Sequence, residues 1–172
     1  LGGGEHIIEA YADADYAADQ ATRRSTSGTI VMFGGGPVAW ASRLQPCVTL
    51  STVEAEYVAL CSTTQEVVWL RHLLSDLGCA QFAPSTIFED NQGTIALAEG
   101  VQISRRSKHI DVRFHFVRDK IQRGDIVLHH VPSTQQLSDI LSETSSSLAS
   151  GLSTGWGVEV SCADARCHVT WC

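Results

Sequence analysis

The feature that most constrains this chain is a single change of hydrophobic period partway along it. Up to about residue 42 the apolar residues come in short runs with extended character. Residues 7–17, 29–33 and 38–42 read as strands, and the glycines at 34–36 with Pro37 mark a turn. Three consecutive strands with tight connections predict an antiparallel meander. From residue 51 the period lengthens to that of a helix. Ser51 or Thr52 is placed to cap it, Glu54 and Glu56 fall in its first turns, and Val53, Glu56, Leu60 and Val67 share one face. The helical pattern continues through residues 69–77 to Gly78, a suitable C-terminal stop.

The remaining pattern alternates. Residues 86–89 read as a strand and 91–99 as a short helix stopped by Gly100. Ile110, Phe114, Val117 and Ile121 form the apolar stripe of another helix, ended by Gly124. A strand over 126–131 and a last helix from a Ser133 cap through Leu141 complete the order βββ-α-β-α-α-β-α. That order predicts an α/β layered fold around a mixed sheet. Trp40 and Trp69 are expected in its core. Residues 143–161 are rich in Ser, Gly and Thr with weak periodicity. The expected organisation is one domain over 1–142 and a disordered tail over 143–172.

At 172 residues the chain is long enough for one well-formed core. No apolar run approaches the ~18 residues of a membrane span. The N-terminus lacks the features of a secretory signal, and with no initiator Met it reads as part of a longer or processed chain. Reduced thiols are therefore the default for the six cysteines. In the tail, Cys162, Cys167, His168 and Cys172 have metal-ligand chemistry, but their spacing fits no zinc knuckle. The net charge of −7 argues against tight, unaided nucleic-acid binding. It suits an acidic pocket, or a domain whose grip comes from a neighbour.

The acids matter by their position. Asp13 and Asp15 fall at the end of the first strand, on one face because their spacing is two. Asp90 ends the fourth strand, Glu56 points from its helix toward the sheet, and Glu54, about 200° round the helix, points elsewhere. Asp139 lies in the last helix. Carboxylates brought together like this repel one another and are costly unless paired or bound to a hard cation such as Mg²⁺ or Mn²⁺. Asp13 and Asp15 are equivalent at this level.

Seven segments then carry a resemblance. YADADYAAD (11–19), RRSTSG (23–28), GGGPVAW (34–40), STVEAEYVAL (51–60), EDNQ (89–92), KHIDVRFHFVR (108–118) and VPSTQQLSDIL (131–141) resemble, in order, the ribonuclease H region of copia-type retrotransposon polyproteins. The resemblance covers about residues 8–142. It implies a ribonuclease H-like fold: a five-stranded mixed sheet with helices on both faces. It also implies hydrolysis of the RNA strand of RNA–DNA hybrids through four carboxylates. By motif these fall on Asp13, Glu56, Asp90 and Asp139, holding two Mg²⁺ ions for which Mn²⁺ can substitute.

The same resemblance implies a reverse transcriptase domain upstream as partner and a cytoplasmic virus-like particle as location. Near Asp139 the chain reads SDILSE where the family pattern is ADILTK. Asn91 is a candidate contact to a 2′-hydroxyl or base edge, and Arg105, Arg106 and Lys108 are candidate phosphate contacts. His129 and His130 read as strand residues rather than catalytic ones. Two other readings compete: a catalytically degenerate remnant keeping the fold, and an interaction module using the fold as a scaffold.

Overall fold

In a computed structural model, the structure describes residues 7–100 and 111–142, with the backbone alone at 111, 152–154, 158–163 and 166–171. Three antiparallel strands open the chain: β1 (Ile8–Asp15), β2 (Thr26–Phe33) and β3 (Gly36–Leu44). The β2–β3 turn is narrower than the Gly-Gly-Gly-Pro run suggests. Only Gly34 and Gly35 form it, both at positive φ, as a two-residue hairpin turn of this twist requires. Gly36 and Pro37 already belong to β3, an edge strand where a residue without an N–H is tolerated.

Helix α1 (Thr52–Asp76) follows. Ser51 caps it by accepting the Glu54 N–H at 3.2 Å, and the Glu54 carboxylate reaches back to the Leu50 N–H at 2.7 Å. Gly78, at φ +80°, turns the chain away just beyond the helix. Ser51→Ala should cost about 1 kcal/mol. That corresponds to a fall of roughly 3 °C in melting temperature, read by thermal denaturation.

The long helix carries the chain back so that β4 (Ser85–Glu89) runs parallel to β1. Helices α2 (Gln92–Glu99) and α3 (Asp111–Gln122) then lead to β5 (Ile126–His130), parallel to β4. The five-stranded sheet has the order β3-β2-β1-β4-β5 and is mixed, as expected. Ile8, Ala10, Ala12, Val31, Ile87 and Leu128 face one side of it. They pack under Tyr57, Leu60 and Val67 of α1 and Phe114 and Val117 of α3. Ala14, Ala55 and Ala59 form a second buried cluster, where small side chains let α1 approach the end of β1 closely.

The expected helix over 133–141 is broken. Residues Ser133–Gln135 make one 3-10 turn, Pro132 rather than Ser133 stands at its start, and α4 is confined to Asp139–Ser142. The break has a polar cause, because Ser133 and Gln136 each bond to a strand end instead of prolonging a helix. α4 packs against β2, β1 and β3, while α1 bonds to the other side of β2 through Thr63.

Trp40 and Trp69 are not core residues: they are 40% and 57% exposed, on edge strand β3 and on the outer side of α1. Beyond residue 150 the described backbone includes three paired strands. Strands β6 (Leu152–Thr154), β7 (Val158–Ala163) and β8 (Arg166–Trp171) form a separate antiparallel sheet. Among the described residues no helix is long and apolar enough to cross a membrane.

Candidate metal centre

Topology brings the acids together. β1 and β4 are adjacent and parallel, and Tyr11 pairs with Phe88. Two residues further along, Asp13 and Asp90 come abreast at the same sheet edge. Glu56 reaches that edge from the first turns of α1, over the alanine cluster. One carboxylate oxygen from each of Asp13, Glu56 and Asp90 lies within 4.8 Å of the other two. Glu54, the rival of Glu56, is occupied in the helix cap. Asp15 lies outside the three-acid group but close enough that its charge acts on Asp13. Asp139 also lies outside that group, and its charge reaches Glu56.

Each acid is held. Ser142 donates its hydroxyl to Asp13 Oδ2. Ser133 donates to Asp90 Oδ2 at 2.6 Å, and His130 Nε2 donates to the Asp90 carbonyl at 3.1 Å. His130 therefore touches the site through backbone, and His129 stacks edge-on to Phe88. Asn91 caps α2 by accepting the Thr94 N–H at 3.1 Å, which leaves its amide N–H groups to offer a ligand. Arg105, Arg106 and Lys108 lie outside the described residues.

Sequence reasoning missed Glu89. It is fully buried, its Oε1 accepts the Asn91 N–H at 3.3 Å, and its Oε2 has no partner. A signal was available, since period two places Glu89 with Ser85 and Ile87 on the face toward α1. Burial first, and then the Glu56 charge, holds Glu89 well above the usual carboxylate range. Glu56 is pushed up to about 9 by burial, then by Asp13 and Asp90. Burial likewise raises Asp13, against the lowering effect of the Ser142 hydroxyl.

Protons thus neutralise part of this cluster when no cation does. The buried, unpartnered Glu56 Oε2 and Glu89 Oε2 show that its protein hydrogen bonds are incomplete. An all-oxygen, acid-rich donor set of this kind fits Mg²⁺ or Mn²⁺.

Solved structures share the architecture. LC11-RNase H1, isolated from compost by a metagenomic approach, superposes with TM-score 0.59 at 18% identity, over 79% of this chain and 92% of that one. The N-terminal RNase H domain of a Mycobacterium tuberculosis protein gives TM-score 0.59 at 15% identity, over 80% and 91%. The fold is that of the ribonucleases H.

The sequence relatives narrow this class. The chain is 37% identical over 143 residues (83% of its length) to the retrovirus-related Pol polyprotein from transposon TNT 1-94 of Nicotiana tabacum. It is 38% identical over 136 residues (79%) to that from transposon RE1 of Arabidopsis thaliana. It is a homologue of the copia-type retrovirus-related Pol polyproteins. The chain spans about a tenth of the length of these relatives, 11% and 9% respectively. No protein-family model matches it.

Proposed function

We propose that this domain hydrolyses the RNA strand of RNA–DNA hybrids, in a metal-dependent reaction, during retrotransposon reverse transcription. The observation that carries this reading is the meeting of Asp13, Glu56 and Asp90 within 4.8 Å at the edge of a ribonuclease H sheet. A solved ribonuclease of the same fold, LC11-RNase H1, has been crystallised with an RNA/DNA hybrid, which supports the choice of substrate.

Asp13, Glu56 and Asp90, with Asp139 beside them, would hold two Mg²⁺ ions, or Mn²⁺ in their place. Bound there, such ions supply an activated water and neutralise charge developing on the phosphoryl group and leaving oxygen. The chain's own residues prepare the place. Ser142 fixes one oxygen of Asp13, and Ser133 fixes one oxygen of Asp90. Glu89 fixes the backbone of Asn91, whose amide group faces the task of meeting a 2′-hydroxyl. The acidic balance leaves substrate grip to a neighbour, and a reverse transcriptase domain of the same polyprotein fills that role. The work would then take place in cytoplasmic virus-like particles.

The test is cleavage of a labelled RNA–DNA hybrid by the whole chain in Mg²⁺, Mn²⁺ or EDTA, beside single-stranded RNA and duplex DNA. Loss of the hybrid's RNA strand alone, abolished by EDTA, is the expected result. No cutting by folded protein, even in Mn²⁺ and with the polymerase domain added, overturns it in favour of a catalytically silent remnant.

A further inference from the structure

The RRSTSG segment contributes no acid, yet its last residue touches the site's architecture. Gly28 pairs directly with Asp13 across β1 and β2. Paired residues on antiparallel strands face the same side of the sheet. At Gly28 that side is filled by backbone. An added Cβ would stand 2.5 Å from the Ser138 carbonyl oxygen and 2.9 Å from the Ser142 nitrogen. Neither atom can rotate away as a side chain could. Gly28 is not among the positive-φ glycines, so its conformation is open to any residue, and space alone excludes a side chain.

The same short segment is tied down on both sides of this contact. Gln136 Nε2 donates to the Ala12 carbonyl at 2.8 Å, and the Ser142 hydroxyl donates to Asp13. Leu141 and Ser142 close the turn with N–H bonds to Ser138, at 2.9 and 3.1 Å. Asp139 is carried by this turn, which lies flush on bare backbone beside Asp13.

We infer that Gly28 is a positioning residue: its missing side chain forms the seat that sets how closely Asp139 approaches Asp13, Glu56 and Asp90. The seat thereby fixes the affinity of the metal position Asp139 shares. This inference rests on the metal-ligand reading of the four acids. A glycine needed only for packing would affect melting temperature and leave metal binding by the folded protein unchanged.

Mn²⁺ titration of the whole chain, followed by the electron paramagnetic resonance signal of free Mn²⁺, separates these cases. Wild type, Gly28→Ala, Asp139→Asn and the double variant are compared at a temperature where all are folded. Wild type should show a tighter and a weaker site. Gly28→Ala should keep the tighter one and weaken the other by about tenfold or more. Asp139→Asn should do the same, and the double variant should be no worse than Asp139→Asn alone.

A wild-type isotherm for Gly28→Ala, when Asp139→Asn loses the weaker site, overturns the inference and leaves the four-acid reading standing. No Mn²⁺ binding by wild type, or an Asp139→Asn isotherm identical to it, overturns that reading and the inference together. Should Gly28→Ala not fold, Ser142→Ala cuts the tie to Asp13 without adding volume. It should weaken the same site, and an unchanged isotherm for it overturns the inference.

Discussion

Asp90→Asn is expected to cripple metal-dependent cleavage while the metal-free protein melts at the same temperature or higher. The substitution preserves shape, and an amide oxygen can still accept the Ser133 hydroxyl now given to Asp90 Oδ2. What it removes is a negative charge from a cluster in which Asp90 raises the pKa of Asp13, Glu56 and Glu89. Without a cation that charge is a cost, and its loss relieves repulsion. With a cation bound as proposed, it would be a ligand. A metal that stabilises charge on a transferring phosphoryl group contributes several kcal/mol, so losing its support should lower kcat by on the order of a thousandfold. Hybrid cleavage and thermal melting of the same preparation give both halves of the result. A variant that cuts as well as wild type removes Asp90 from the ligand set.

The second large effect is on stability. In EDTA, the melting temperature should fall as pH rises from about 5 to 9. Glu56 has an ordinary value of 4.5 and a folded value of about 9. Between those values the unfolded chain has released a proton that the folded chain retains. Each pH unit across the window therefore favours unfolding, by at most ~1.4 kcal/mol for one such group. Glu89 and Asp13 are raised as well and act with the same sign. Asp19 is lowered, so its contribution is present above its ordinary value of 3.8 and is lost only below this window.

The expected slope is a few degrees per pH unit. Glu56→Gln should flatten it. Mg²⁺ at pH 8 should restore much of the lost stability, because it binds the ionised cluster of the folded state alone. A melting temperature that is flat or rising between pH 5 and 8 in EDTA contradicts the proton-holding cluster.

Periodicity made the sheet and its helices legible, because apolar faces repeat at two or at 3.6 residues wherever one side is buried. It also separated Glu56 from Glu54, since one turn of helix sends neighbours two apart to opposite sides. What escaped was governed by single polar contacts. The helix expected through Leu141 broke because Ser133 and Gln136 found partners on Asp90 and Ala12, far away in sequence. Glu89 was overlooked because a charged residue at a strand end suggests solvent, although its alternation with Ile87 pointed inward. Trp40 and Trp69, expected in the core, are exposed because one lies on an edge strand and the other on an outward helix face. The choice of Asp13 over Asp15 came from the resemblance, and the geometry gathers Asp13 with Glu56 and Asp90.

The seat of α4 also carries a consequence for synthesis. Asp13 leaves the ribosome before the serine that holds it, which comes 129 positions later. At ribosomal rates of ~5–20 residues per second, Asp13 waits roughly 6–26 s for that partner. A nascent chain can pair β1, β2 and β3 long before this, yet it holds its acids without the turn that bears Asp139. The assembled centre therefore exists only in chains translated through Ser142, and a ribosome that stalls earlier displays an incomplete site beside the RNA it is reading.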